Sequence, residues 1–160
     1  MANHTGSKYA GKNVVITGGS SGIGLVTAQL LADEGARVLI TGRNQAKLDT
    51  AREKIGSNAV AVLSDAASLT DIDKLAERVK AEFGTIDALF INAGITHFIP
   101  FESVTEEVYD ELFTINTKGP YFTVQRLTPL LNAGSSVVFT TSIANAVGIP
   151  MLNAYGATKA

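Results

Sequence analysis

Apolar positions along this chain fall into two alternating patterns. Short, nearly continuous β-rich runs come first: Asn13–Thr17, Arg37–Thr41, Ala59–Leu63, Ala88–Ile91 and Ser136–Thr140. Between them lie stretches with apolar residues at helical spacing. Gly22 to Glu34 places Ile23, Val26 and Leu30 at that spacing and stops at Gly35. Asn44 caps a second helix that carries Leu48, Ala51 and Ile55 and closes at Gly56. A third, Thr70 to Phe83, turns Ile72, Leu75, Val79 and Phe83 inward and ends at Gly84. A long fourth helix is predicted from about Thr105 to Leu131, with Ser103 and Glu106 as a capping box. Gly119-Pro120 and Pro129 should bend it or end it locally.

Continuous apolar strands suit a parallel sheet buried on both faces, whereas a half-exposed sheet alternates. The β-α-β order then predicts an α/β doubly wound parallel sheet of Rossmann type, with five strands in this chain. Residues 1–8 read as a loose polar tail with His4 facing solvent, and 9–160 as one dinucleotide-binding and catalytic domain. Composition narrows the function. With 46% apolar and 18% charged residues the chain is globular, and a net charge of -2 offers no surface for nucleic acid. No apolar run has membrane-spanning length. The absence of cysteine excludes disulfides and thiolate metal sites, no metal is expected, and a cytoplasmic location fits.

The first strand runs into Thr17-Gly18-Gly19-Ser20-Ser21-Gly22-Ile23-Gly24 and then the first helix. Glycines there let the backbone approach a pyrophosphate at the helix's positive end. The spacing is Gly-x-x-x-Gly-x-Gly, without the Gly-Lys-Ser/Thr ending of a P-loop, which argues against an ATPase. After the second strand, where NAD sites place an acidic residue, stands Thr41-Gly42-Arg43-Asn44. Gly42 repels no phosphate and Arg43 can pair with one, so NADP is favoured, with NAD the alternative. Asp65 is placed to meet an adenine edge, or serves as a turn aspartate.

Ser142 follows the fifth strand and points to the crevice beyond the strand ends. Tyr155 and Lys159 lie four apart, on one helix face, where an ammonium brings a tyrosine's proton transfer toward neutral pH. Each signal alone is weak; together with Asn116 and Asn92-Ala93-Gly94, in this order, they are specific. The chain resembles the short-chain dehydrogenase/reductase family over almost its whole length. The resemblance implies that Tyr155 donates or removes the proton on a carbonyl or alcohol oxygen. It also implies that Lys159 assists Tyr155 and holds the nicotinamide ribose, that Ser142 bonds the reacting oxygen, and that Asn116 positions a water. Gly18, Ser20, Ser21, Gly22, Ile23, Gly24, Arg43, Asn44, Asp65, Asn92, Ala93 and Gly94 would then surround the cofactor. Thr96, His97, Phe98 and residues 144–152 would line the substrate pocket, with His97 read as a loop residue.

Family members continue well past the tyrosine–lysine motif and usually form dimers or tetramers. The chain is therefore expected to be a truncated, cleaved or incomplete enzyme. Alone it should be inactive with NADPH and carbonyls, a dinucleotide-binding fragment whose fifth strand needs a cover from elsewhere.

Overall fold

The computed structural model describes residues 7–160, so His4 and most of the predicted tail lie outside it. Ser7 and Lys8 are described, and the Lys8 amide donates to the Glu34 carboxylate at 3.3 Å. Five strands form one sheet in the order β3-β2-β1-β4-β5. They are β1 (Asn13–Ile16), β2 (Arg37–Gly42), β3 (Ala59–Leu63), β4 (Ile86–Ile91) and β5 (Leu131–Phe139). Every pairing is parallel. Helices α1 (Gly22–Asp33), α2 (Gln45–Ile55) and α3 (Leu69–Phe83) make the crossovers among β1 to β4. The sheet order reverses between β1 and β4, which opens a crevice at the strands' carboxyl ends.

Alternate residues of the same strands feed two cores, as the two-residue period of a strand requires. Val14, Ile16, Val38 and Ile40 pack with Ala28, Leu48 and Ala51. Val15, Leu39, Leu89 and Ile91 pack on the other face with Leu75, Val79 and Leu127. Full burial of one such leucine or isoleucine contributes about 1.5–3 kcal/mol. The caps of α2 and α3 follow the expected chemistry. Asn44 Oδ1 accepts from the Lys47 amide at 3.0 Å and Ser68 Oγ from the Asp71 amide at 3.2 Å.

Four local expectations change. In α1 the buried residues are Gly24, Ala28 and Ala32, while Ile23, Val26 and Leu30 are exposed. Small side chains let this helix approach the sheet closely, so the large ones point away. The predicted fourth helix is two helices, α4 (Glu106–Phe113) and α5 (Gly119–Leu127), joined by a π turn at Thr114–Lys118. Across it the Gly119 amide donates to the Thr114 carbonyl, five residues back. Thr105, not Ser103, caps α4, accepting from the Val108 amide at 3.4 Å. Leu131 belongs to β5, which starts earlier than expected because Pro129 ends the preceding helix in a 3-10 turn. Strand β5 is an edge, with Val138 51% and Phe139 50% exposed.

Asp87 ties the amino end of the sheet together. Its Oδ2 accepts from the Asn13 amide at 2.9 Å and its Oδ1 from Lys12 Nζ at 3.0 Å. The Asn13 hydrogen bond, helped by Lys12, holds the carboxyl below its ordinary range although burial acts in the opposite direction. A depressed folded value means that this stabilisation is present above the unfolded value of about 4 and is lost as the pH falls through the folded one. Asp87→Asn should therefore lower unfolding stability by about 1 kcal/mol at pH 7. The gap to wild type should shrink in urea titrations below about pH 3. An equal gap at both pH values would exclude this role.

Candidate active site

A cavity of about 250 Å³ opens at the carboxyl ends of the strands. Thr17, Gly18, Ser20 and Ser21 form one wall, Thr41 to Arg43 a second, and Asn92 to Ile95 a third. Gly18 has φ +67, and a Cβ there would lie 2.9 Å from Ala93 Cα, so the turn needs glycine for both conformation and closeness. Ser21 caps α1 without a side-chain bond, which leaves the amides of that first turn free for an anion. Gly42 is held against Ser20, whose Oγ would be 3.0 Å from an added Cβ. A side chain at position 42 would press on the Ser20 hydroxyl, which would have to shift slightly. Arg43 is exposed at the rim. These features fit a dinucleotide.

The acid–base residues lie beside this cavity, on α6 (Asn153–Thr158) and its approaches. Tyr155 is half-buried in the first turn of α6, and Lys159 Nζ sits 5.9 Å from its ring centroid. Lys159 Nζ also donates to the Thr140 carbonyl at 3.1 Å. Burial pushes the Lys159 amine below the usual lysine range. Ser142 follows Thr140 and caps a 3-10 turn, its Oγ accepting from the Ala144 amide at 3.2 Å. That leaves its hydroxyl proton to donate. Asn116 lies in the π turn and is buried, with its Oδ1 accepting from the Ile95 amide at 2.9 Å. Its Nδ2 donates to the Ile95 carbonyl at 2.9 Å and to Thr158 Oγ1 at 3.0 Å.

The family profile described as short chain dehydrogenase matches residues 12–160. The chain belongs to the short-chain dehydrogenase family. One relative, oxidoreductase asL5 of Sarocladium schorii, is 43% identical over 96% of this chain and 62% of that protein. Galactitol 2-dehydrogenase of Agrobacterium fabrum is 38% identical over 93% of the chain and 59% of that protein. Among solved structures, a Brucella melitensis 3-ketoacyl-(acyl-carrier-protein) reductase complexed with NADH superposes with a TM-score of 0.90 at 32% identity. That match covers 94% of this chain and 65% of the other. The chain thus spans about three fifths of the length of the curated relatives it matches.

Within this member of the family the expected residues do not all meet. Gly18, Ser20, Ser21, Arg43, Asp65, Asn92, Ala93 and Gly94 line the cavity. Asn44 does not, since its carboxamide oxygen caps α2. Gly22 and Ile23 do not line it either; Gly24 instead backs it, packed against Gly18. Asp65 Oδ1 accepts from the Ala67 amide at 2.9 Å, a turn role, with its other oxygen left over. His97 pairs with Glu111 on α4 at 2.9 Å. Asn116 commits both Nδ2 hydrogens and one lone pair of Oδ1 to protein partners. Two residues escaped the sequence reading. Thr17 Oγ1 accepts from the amides of Asn92 and Ala93 at 2.9 and 3.1 Å. Thr140 Oγ1 donates to Asn92 Oδ1 at 3.0 Å while its carbonyl holds Lys159. Hydroxyl residues at strand ends, facing the same asparagine, were the available signal.

Among the described residues no group of acidic, histidine or cysteine side chains could hold a metal ion. No described helix is long and apolar enough to cross a membrane.

Proposed function

We propose that this protein is an NADP-dependent oxidoreductase acting on a carbonyl group or a secondary alcohol. The observation that carries the reading is a glycine-walled dinucleotide cradle with Lys159 at its edge: a Cβ on Gly94, which lines the cradle, would lie 3.3 Å from Lys159 Nζ, and that Nζ is 5.9 Å from the Tyr155 ring centroid. A bound nicotinamide supplies the hydride in reduction and accepts it in oxidation. The protein's own part is proton transfer and placement. Ser142 donates a hydrogen bond from its free hydroxyl to the substrate oxygen. Tyr155 gives that oxygen a proton as negative charge develops on it, and takes one back in the reverse direction. Lys159 stabilises the resulting phenolate and faces the ribose, fixed from behind by Thr140.

The choice of NADP rests on Arg43, which can pair with a 2′-phosphate, and on Gly42, which carries no carboxylate to repel one. Arg43→Ala should weaken NADPH binding about tenfold or more, the loss of one charge-assisted contact, and leave NADH nearly unchanged. Fluorescence titration with both cofactors checks this, and equal losses would refute it. For a homo-oligomer, the exposed Tyr121 of α5 and the Tyr109–Phe113 stack on α4, with centroids 4.5 Å apart, offer the contact face.

A further inference from the structure

Thr158 is 7% exposed and sits between Tyr155 and Lys159 on a helix of six residues. Its hydroxyl donates to the Tyr155 carbonyl at 2.7 Å and accepts from Asn116 Nδ2 at 3.0 Å. Both functions of that oxygen are used inside the protein. So short a helix is not stable by its own hydrogen bonds and depends on tertiary attachment. Asn116 is one such attachment, beside Lys159 on Thr140 and Gly156 packed on Ala144, and it is itself fixed at two atoms to Ile95. Gly94 completes the junction: a Cβ there would lie 3.1 Å from Asn116 Oδ1 and 3.3 Å from Lys159 Nζ. The loop after β4, the π turn and α6 therefore meet at one polar point, and Thr158 is the member that belongs to α6.

We infer that Thr158 is a positioning residue for the acid–base pair. Through Asn116 it fixes the α6 turn that carries Tyr155 and Lys159 to the strand-end loop bordering the cofactor cradle. This rests on the acid–base reading of Tyr155 given above. The hydroxyl is the working part, because it alone makes the two bonds. Thr158→Val keeps the shape and removes them, while Thr158→Ser keeps them and removes a methyl group. With valine the Asn116 amide loses a buried partner and α6 is released on the side facing the cavity.

Two measurements test this on the protein at its natural length. In hydrogen exchange, amides of residues 154–159 should exchange at least about tenfold faster in Thr158→Val and at the wild-type rate in Thr158→Ser. In NADPH-linked turnover, Thr158→Val should lower kcat about 100-fold, the loss typical of a misplaced acid, with NADPH Kd within about twofold. Serine should restore kcat. Unchanged exchange in Thr158→Val overturns the inference whether or not the protein turns over. A fall in kcat that serine does not rescue also overturns it. Normal exchange differences without turnover in the wild type would instead defeat the oxidoreductase reading and leave the positioning role standing. If Thr158→Val loses its global fold by circular dichroism, Thr158→Ala is read in its place.

Discussion

Replacing Tyr155 with phenylalanine should lower turnover about a thousandfold while NADPH binds within about twofold of wild type. The tyrosine hydroxyl is the group that transfers the proton, and a positioned general acid contributes about 10²–10⁴-fold. Nothing in the cradle depends on that hydroxyl. The walls of the cavity come from the glycine turn, the end of β2 and the Asn92–Ile95 segment. The Tyr155 backbone, which accepts from Thr158, is unchanged by the substitution. Steady-state kinetics at neutral pH, paired with fluorescence titration of NADPH, separate the two effects. Retained turnover would move the acid elsewhere, with His97, which lines one small pocket with Tyr155, as a candidate. A wild-type protein that binds NADPH but never turns over would support a binding role alone.

Gly24→Ala should be damaging although it adds only a single methyl group. The new Cβ would lie 2.5 Å from the Gly18 carbonyl oxygen and 2.7 Å from Asn92 Nδ2. Neither neighbour can give way easily. Gly18 is backbone, pressed against Ala93 on its other side. Asn92 Nδ2 donates to the carbonyls of Thr17 and Gly18 at 3.2 Å each, and its oxygen is held by Thr140. The helix must therefore back away from the turn. Overpacking of this kind costs about 1–3 kcal/mol of stability. The same shift carries the first-turn amides of α1 away from any bound phosphate, so NADPH affinity should fall about 100-fold. Thermal unfolding and cofactor titration check both halves. An alanine variant that binds within twofold of wild type would show that the turn has slack which the contacts deny.

What was legible from the sequence was whatever repeats along it. The β-branched runs gave all five strands because a buried parallel sheet writes itself as continuous hydrophobicity. The buried face of α1 was misread because its contact residues, Gly24, Ala28 and Ala32, carry little hydrophobic signal and its exposed ones carry much. The π turn was hidden because Thr114–Lys118 differs from ordinary helix only in where one amide donates. At the site, Tyr155, Lys159 and Ser142 were readable from spacing and order. The bonds that hold them were not. Asn116 meets a threonine 42 residues away.

The Asn92 crosslink also bears on how the protein folds. It joins the turn after β1, 75 residues earlier, to the end of β5, 48 residues later. Such bonds close large loops, so they form only after most of the sheet is aligned. A partly folded chain then has strands but no cradle, and a cofactor has nothing to bind until the last pairing is complete. NADPH should consequently stabilise the domain as a whole by mass action, by about 2.7 kcal/mol at a hundred times Kd, rather than rigidify a single loop.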